Sequence, residues 1–415
     1  MFETRPSRKR ARRRVALRHT ARRHASWRPA ARRAPRSAFP RRAAGVAGPR
    51  RRPAFHPVPT AVLLALFPLA LALNVWARRN SGTVEALYSR RIYHALVFPV
   101  SRWFALAPFS AAEWMVYAAA AFALLALGAS VRHLAHRRFL PPLRLLLALL
   151  CIASAGYFVF TAGWGLNYSR EPLARNLGYR EGQPTEAELA AVMRREQADV
   201  ASAAGELTVR DGRTVYPGGF ARMRAQVDAG YRALAARGGI YRALFSGARP
   251  WPKAILASPL LSYTGIDGIY FPFTGEPNVN TADLPFTQPF DAAHESAHFK
   301  GFAREDEANF IAYLADSANP DPYFRYSAHM EAYLYVSNAL YATDYKAWAK
   351  LDAGLSPVAR EDFAAYNRYY DEHQGKAQEL SNNVNNSYLQ AQGQQGVITY
   401  DMFVNLLCDE FRSGK

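Results

Sequence analysis

Hydrophobic positions fall into two regimes along the chain. Three uninterrupted apolar runs come first: Thr60–Ala77, Trp114–Val131 and Leu145–Leu166, of 18, 18 and 22 residues. At roughly 1.5 Å per residue each reaches across most or all of a ~30 Å hydrocarbon core, so three transmembrane helices are expected. Buried core helices are a poor alternative for three such runs in succession. The first is also too long, and lacks the small-residue cleavage site, for a signal peptide. Beyond residue 166 the pattern becomes periodic. Apolar residues recur at helical spacing over Thr185–Glu206 and Phe220–Arg237. They do so again from Gln288 to Ala318 and on to Leu351, with a break near Pro320. Further helices fit 358–391 and 400–412. Pro252–Tyr270, rich in Ile, Leu and Tyr with Gly breaks, predicts one or two short strands. Spaced aromatics in Tyr93–Ala107 predict an amphipathic helix lying along the outer membrane surface.

Charge changes this picture at one end only. The formal net charge is +19, yet residues 1–58 hold 19 Lys and Arg against a single acid, Glu3. From residue 167 onward 24 bases face 30 acids. A nucleic-acid-binding domain needs its bases on a folded face, so nucleic acid is not expected as a partner. Residues 1–58, mostly Arg, Ala and Pro, read as a disordered cytoplasmic tail, a targeting peptide being the competing reading. The tail and Arg132, Arg137, Arg138 and Arg144 set the orientation against the Arg-bearing 78–102 loop. With three spans, residues 167–415 then lie outside the cytoplasm. Two cysteines, Cys151 and Cys408, exclude a disulfide scaffold and a CxxC site. The expected organisation is a tail at 1–58, a membrane region at 59–166 and one extracytoplasmic domain at 167–415.

Chemistry concentrates in one segment, running from Asp291 through His294-Glu295-Ser296-Ala297-His298 and Gly301 to Arg304-Glu305-Asp306-Glu307-Ala308-Asn309. His294 and His298 are four residues apart, so on a helix both imidazoles project from one face and can bind one Zn²⁺. Glu295 beside them is placed to take a proton from a bound water. Thr287 is expected to cap that helix, with Pro289 in its first turn, and Gly301 to let the chain turn back. In metzincins the third ligand is a His six residues after the second; here that position is Arg304. Gluzincins use a Glu on the following helix, with a later acid supporting a ligand histidine. Glu305 is the preferred third ligand, Glu307 the alternative, and Asn309 stands where the supporting acid would be. The bland alternative is an amphipathic helix with two surface histidines.

Three stretches carry a resemblance: Trp164-Gly165-Leu166-Asn167-Tyr168, Gly268 to Asn280 (including Glu276 and Asn278), and His294 to Leu314. They resemble bacterial membrane proteins of the domain-of-unknown-function 3810 family, which join amino-terminal transmembrane helices to a gluzincin-like HExxH domain. The resemblance covers about 60–415 and is most specific from His294 to Tyr313. It implies a membrane-anchored zinc metallopeptidase. The expected fold is therefore an α-helical membrane anchor plus a mainly α (α+β) zincin-like domain, with a small strand element before the HExxH helix. Gly268–Phe273 reads either as an edge strand that pairs with an extended substrate or as a loop closed by Thr274-Gly275. Tyr388, Tyr400, His329 and Tyr326 are candidates to stabilise an oxyanion.

The leading expectation is a multi-pass protein of the bacterial cell membrane. It would hydrolyse a protein or peptide substrate through Zn²⁺ held by His294, His298 and Glu305, with Glu295 as base. The rival is a non-catalytic envelope sensor or interaction protein with a retained metal site. A structural zinc site usually fills all four positions with protein ligands, whereas this motif leaves one open. A third reading, a tail that binds nucleic acid or anionic lipid, predicts that loss of 1–58 abolishes function while Glu295→Gln does not.

Overall fold

The computed structural model describes residues 57–399 and 401–414. Nearly all of the Arg-rich tail, and the candidate Tyr400, lie outside the described residues. Three helices are long and apolar enough to cross a membrane: α1 (Pro57–Arg78), α3 (Ala111–Ala135) and α4 (Leu140–Gly163). Between α1 and α3 come a π-helical stretch at Val84–Ile92 and α2 (Tyr93–Phe104). The third apolar run was expected to continue to Leu166, but its helix ends at Gly163. Trp164 turns away at φ −148° and Gly165–Ser169 forms a 3₁₀ turn. Trp164, Leu166 and Tyr168 are apolar because they are buried in protein.

Pro68 within α1 has no N–H, which leaves a carbonyl one turn earlier without its helical donor. Ser154 of α4 repairs this: its hydroxyl reaches the Leu63 and Leu64 carbonyls at 2.6 and 3.2 Å and accepts from Phe67 N at 2.9 Å. The α1–α4 pair is thus sealed where water cannot do the job.

The part after residue 166 is built on helices α5 (Glu186–Ala204), α6 (Gly219–Ala236), α7 (Gln288–Phe299), α8 (Glu305–Ser317) and α9 (Pro322–Thr343). Around them lie α10 (Tyr345–Asp352), α11 (Pro357–His373), α12 (Lys376–Ala391) and α13 (Phe403–Ser413). Helix α5 opens on a full capping box, Thr185 with Glu188, and packs along α9. Helix α8 is buried on nearly every side, with Phe310, Ile311, Ala312 and Ala315 fully covered. Gly230 of α6 lets that helix approach so closely that a Cβ there would sit 2.1 Å from the Ala315 carbonyl oxygen.

A two-stranded hairpin, β1 (Val209–Arg210) and β2 (Arg213–Thr214), stands apart from a three-stranded sheet. In the latter, β5 (Glu276–Val279) lies between β3 (Lys253–Ala254), parallel to it, and β4 (Gly268–Phe271), antiparallel to it. The strands expected in Pro252–Tyr270 are β3 and β4; β5 had no separate signal because three of its four residues, Glu276, Pro277 and Asn278, are poor strand formers. The 358–391 helix is two helices, broken at the extended Gln374 and Gly375.

Apolar helices and sheet are tied together by buried charge. The Glu276 carboxylate accepts from Ala111 N and Ala112 N at 3.3 and 2.9 Å, at the amino terminus of α3. Glu113 of α3 accepts from Leu256 N and Ala257 N at 2.9 and 2.8 Å. The buried Lys253 ammonium donates to the Phe104, Ala105 and Ala107 carbonyls at the end of α2. The helix expected at Tyr93–Ala107 is α2, but it is apolar on both sides: Tyr93 and Val97 are buried in protein, while Leu96, Val100 and Trp103 are exposed on the other side.

Candidate metal centre

Helix α7 carries the HExxH segment, and packing positions it more than its own cap does. Thr287 does not cap it; its hydroxyl bonds back to Leu284 O at 3.1 Å, and Ser327 of α9 accepts from Phe290 N at 3.0 Å instead. Tyr231 of α6 donates to Ala293 O at 2.7 Å. At the other end Tyr93 of α2 donates to Phe299 O at 3.1 Å and contacts the Tyr270 hydroxyl at 2.9 Å. Gly301, at φ +91°, reverses the chain into α8, as its residue type allows. A Cβ at Gly301 would lie 3.0 Å from the Tyr93 ring. The Gly301 carbonyl accepts from Arg170 at 2.7 Å, and the Arg170 guanidinium lies 3.9 Å above the Phe302 ring. Arg170 is itself paired with Glu85 of the π-helical stretch at 2.7 Å. Burial pushes the Glu85 carboxyl upward, but Arg170 and Arg90 outweigh it and hold the group below its ordinary value.

That reversal brings His294, His298 and Glu305 together. Glu305 Oε2 lies 3.2 Å from His294 Nε2 and 3.4 Å from His298 Nε2. Ligand atoms arranged tetrahedrally at ~2.0–2.1 Å from an ion stand about 3.3–3.4 Å apart, so these separations suit a small tetrahedral cation. The far side of each ring is also fixed. His298 Nδ1 lies 2.7 Å from Phe302 O, which can only accept, so Nδ1 carries a proton. His294 Nδ1 pairs with Asn309 Oδ1 at 2.7 Å in the same sense. In the neutral rings both Nε2 lone pairs then face a carboxylate oxygen, an arrangement that needs a cation between them, a proton or a metal. Without a metal, burial disfavours the His298 imidazolium, yet the Glu305 charge outweighs burial and raises the group to about 9. Glu305 shows the converse: burial raises it, the two imidazoles pull harder, and the net shift is down.

Glu307 faces elsewhere, accepting from Leu173 N at 2.6 Å and from Arg304. Glu295 is buried against β4: a Cβ on Gly268 would lie 2.6 Å from Glu295 Oε1, and Glu295 Oε2 has no hydrogen-bond partner among the described residues. Burial, reinforced by Glu305 and opposed by the two imidazoles, pushes the Glu295 carboxyl up to about 7.

These groups open into a cleft of about 850 Å³. Strand β4, the edge of its sheet, lines it with Gly268, Ile269 and Tyr270. Both readings of this segment have a counterpart, since Thr274 and Gly275 close a turn directly after the strand. Of the oxyanion candidates, Tyr388 lines the cleft and accepts from the Tyr168 hydroxyl at 3.0 Å. Tyr326 donates to Asp362, and His329 is paired with Glu196. Sequence reasoning passed over three further cleft residues, Asp267, Asp291 and Glu331. Burial, with repulsion from Asp267, pushes Glu331 up to about 8, and Asp291 is raised for the same reasons. Asp291, three residues before His294 on one helix, was the only one of these within reach of a spacing argument.

Fold and site define a mainly helical, membrane-anchored protein with a convergent His–His–Glu donor set. The chain belongs to the family described as protein of unknown function DUF3810, whose model matches residues 88–408. The match includes α2, two of the three apolar helices and the whole donor set. No curated protein and no solved structure matches the chain.

Proposed function

We propose that this protein is a membrane-anchored zinc metallopeptidase of zincin-like architecture, with its cleft on the outer side of the bacterial cell membrane. The observation that carries the reading is the donor set: a carboxylate oxygen 3.2 and 3.4 Å from two imidazole nitrogens, both rings fixed from behind, beside a buried carboxylate in an open cleft. Zn²⁺ in that position would supply Lewis acidity to a carbonyl and bring the pKa of a water in its open position toward ~7. His294, His298 and Glu305 would hold it, with Asn309 and Phe302 O orienting the rings.

Glu295 does the proton work. Its carboxylate takes a proton from the attacking water and returns it to the leaving nitrogen, while the hydroxyl goes to the acyl carbon. The edge strand β4 gives an extended substrate a strand to lie along, and the Tyr388 phenol can donate to the oxyanion. The test is metal analysis of the purified full chain beside His294→Ala. Stoichiometric zinc in the first and its loss in the second are expected. A full chain without bound metal overturns the reading, and metal binding with no Glu295-dependent hydrolysis returns the sensor alternative.

A further inference from the structure

The cleft that holds the donor set is partly walled by a membrane-spanning helix. Phe160 lies in the last turn of α4 and lines the same cleft as His294 and Glu295. Helix α4 has 24 residues, roughly 36 Å at 1.5 Å each, against a ~30 Å hydrocarbon core. Its final turn therefore emerges at the membrane boundary, and Phe160 marks that level. One turn further on, the Trp164 ring meets the His298 ring edge-on at a centroid distance of 5.9 Å. A single side chain, Trp164, thus joins the end of the apolar helix to a candidate metal ligand.

The adjoining wall has matching chemistry. Leu380, Val384 and Tyr388 recur every four residues along α12 and line the cleft as one stripe. Leu380 and Val384 are 65% and 62% exposed, an unusual state for aliphatic side chains in a cleft filled by water alone. Phe160 and Tyr388 meet ring to ring at 6.4 Å, so the stripe is continuous with the end of the span.

Resting on the peptidase reading, we infer that the substrate is a polypeptide anchored in the same membrane, cut in the extended segment just outside its own span. The span's emerging end passes the Phe160–Leu380–Val384 surface, and the following residues extend along β4 to the metal position. The cut therefore falls within the first few extended residues after the anchor. Water adds across that peptide bond as described above. A soluble peptide would reach the site with the membrane occupying one side of its approach and without the anchor's local concentration.

The test uses the full chain in vesicles of phosphatidylethanolamine and phosphatidylglycerol. One substrate carries a single apolar span followed by a polar extended segment; the other is that segment alone. The anchored form should be cleaved with kcat/KM at least ~100-fold higher, the gain that tethering can supply. Inserting about ten residues after the span, roughly 33 Å when extended, should leave the cut near the span and move it to new sequence. Equal kcat/KM for both forms, or a cut that follows the sequence away from the span, overturns the inference. So does hydrolysis of the vesicle phospholipid with the polypeptide left intact. If neither polypeptide is cleaved, the peptidase reading fails on its own, and binding decides this inference separately. Energy transfer within the bilayer decides it: labelled Glu295→Gln chain should bind the anchored form at least ~10-fold more tightly than the same span without its polar segment, and equal binding overturns the inference.

Discussion

Gly268 and Glu295 meet so closely that the two positions can be tested against each other. Glu295→Gln keeps shape and removes basicity, so metal should stay bound while hydrolysis falls by at least ~10²-fold. Gly268→Ala leaves the carboxylate chemically intact but puts a methyl where Glu295 Oε1 now lies, and a loss of similar size is expected from misplacement alone. A Gly268→Ala enzyme with full activity and unchanged metal content would show that Glu295 need not stand where it does. The base must be unprotonated to act. With the carboxyl raised to about 7, kcat/KM should climb as pH rises toward that value and level off above it. Bound cation favours the carboxylate, so the loaded enzyme's midpoint should lie at or below this value. The ligand assignment predicts its own order of losses. Glu305→Ala should cost more zinc affinity than Glu307→Ala, and Asn309→Ala should cost about 10–100-fold, read by competition with a chelating dye. Loss of zinc in Glu307→Ala with retention in Glu305→Ala would reverse the order.

The HExxH helix is held at the scale of elements by neighbours that contribute no ligand. Tyr231 of α6, Ser327 of α9 and Tyr93 of α2 each bond to its backbone. Helix α6 can do this only because Gly230 brings it onto α8. Gly230→Ala should therefore lower stability by about 1–3 kcal/mol or more, seen as a drop in thermal midpoint in detergent. Zinc affinity should fall with it, since α8 carries Glu305. An unchanged midpoint would mean that α6 can shift without cost. Element boundaries in the sequence were clear wherever a local device marks them: the Thr185–Glu188 capping box and the Gly301 reversal are both visible in the chain. Thr287 misled because its residue type suits a cap, while the donor it should satisfy is taken by Ser327, forty residues later.

At the scale of the whole molecule, residues 56–415 form one compact unit. Val84, Tyr93, Trp164, Tyr270 and Phe299 share a single apolar cluster, so the membrane-proximal segments are part of what holds the metal position. A fragment beginning at Asn167 loses Tyr93, Glu85 and Trp164 together. It should bind zinc at least ~10-fold more weakly than the full chain, and equal affinity would show that the cluster is dispensable. The ends of α1, α3 and α4 that meet the large domain all lie on one side, as ties from Arg78 to Ala391 O, Glu276 to Ala112 N and Ser81 to Glu171 require. With the Arg-rich tail inside, a reporter fused after Lys415 should be active only on the outer face, and cytoplasmic activity would overturn the orientation.

Local pattern alone determined the three apolar helices, the helix α2, the helical character of the large domain and the HExxH spacing. Each rests on residues within a few turns of one another, where periodicity and residue type act directly. Tertiary structure decided what depends on distant segments. It brought Glu305 to the imidazoles, left Glu307 to Leu173 and Arg304, pressed Glu295 against Gly268, and gathered Asp267, Asp291 and Glu331 on the cleft wall. It also placed Phe160, in sequence one more apolar residue of a span, on the wall of the cleft that holds His294. Spacing along a chain says which side chains share a helix face. Which faces meet is set by the burial of whole elements against each other, and here that burial includes the membrane helices.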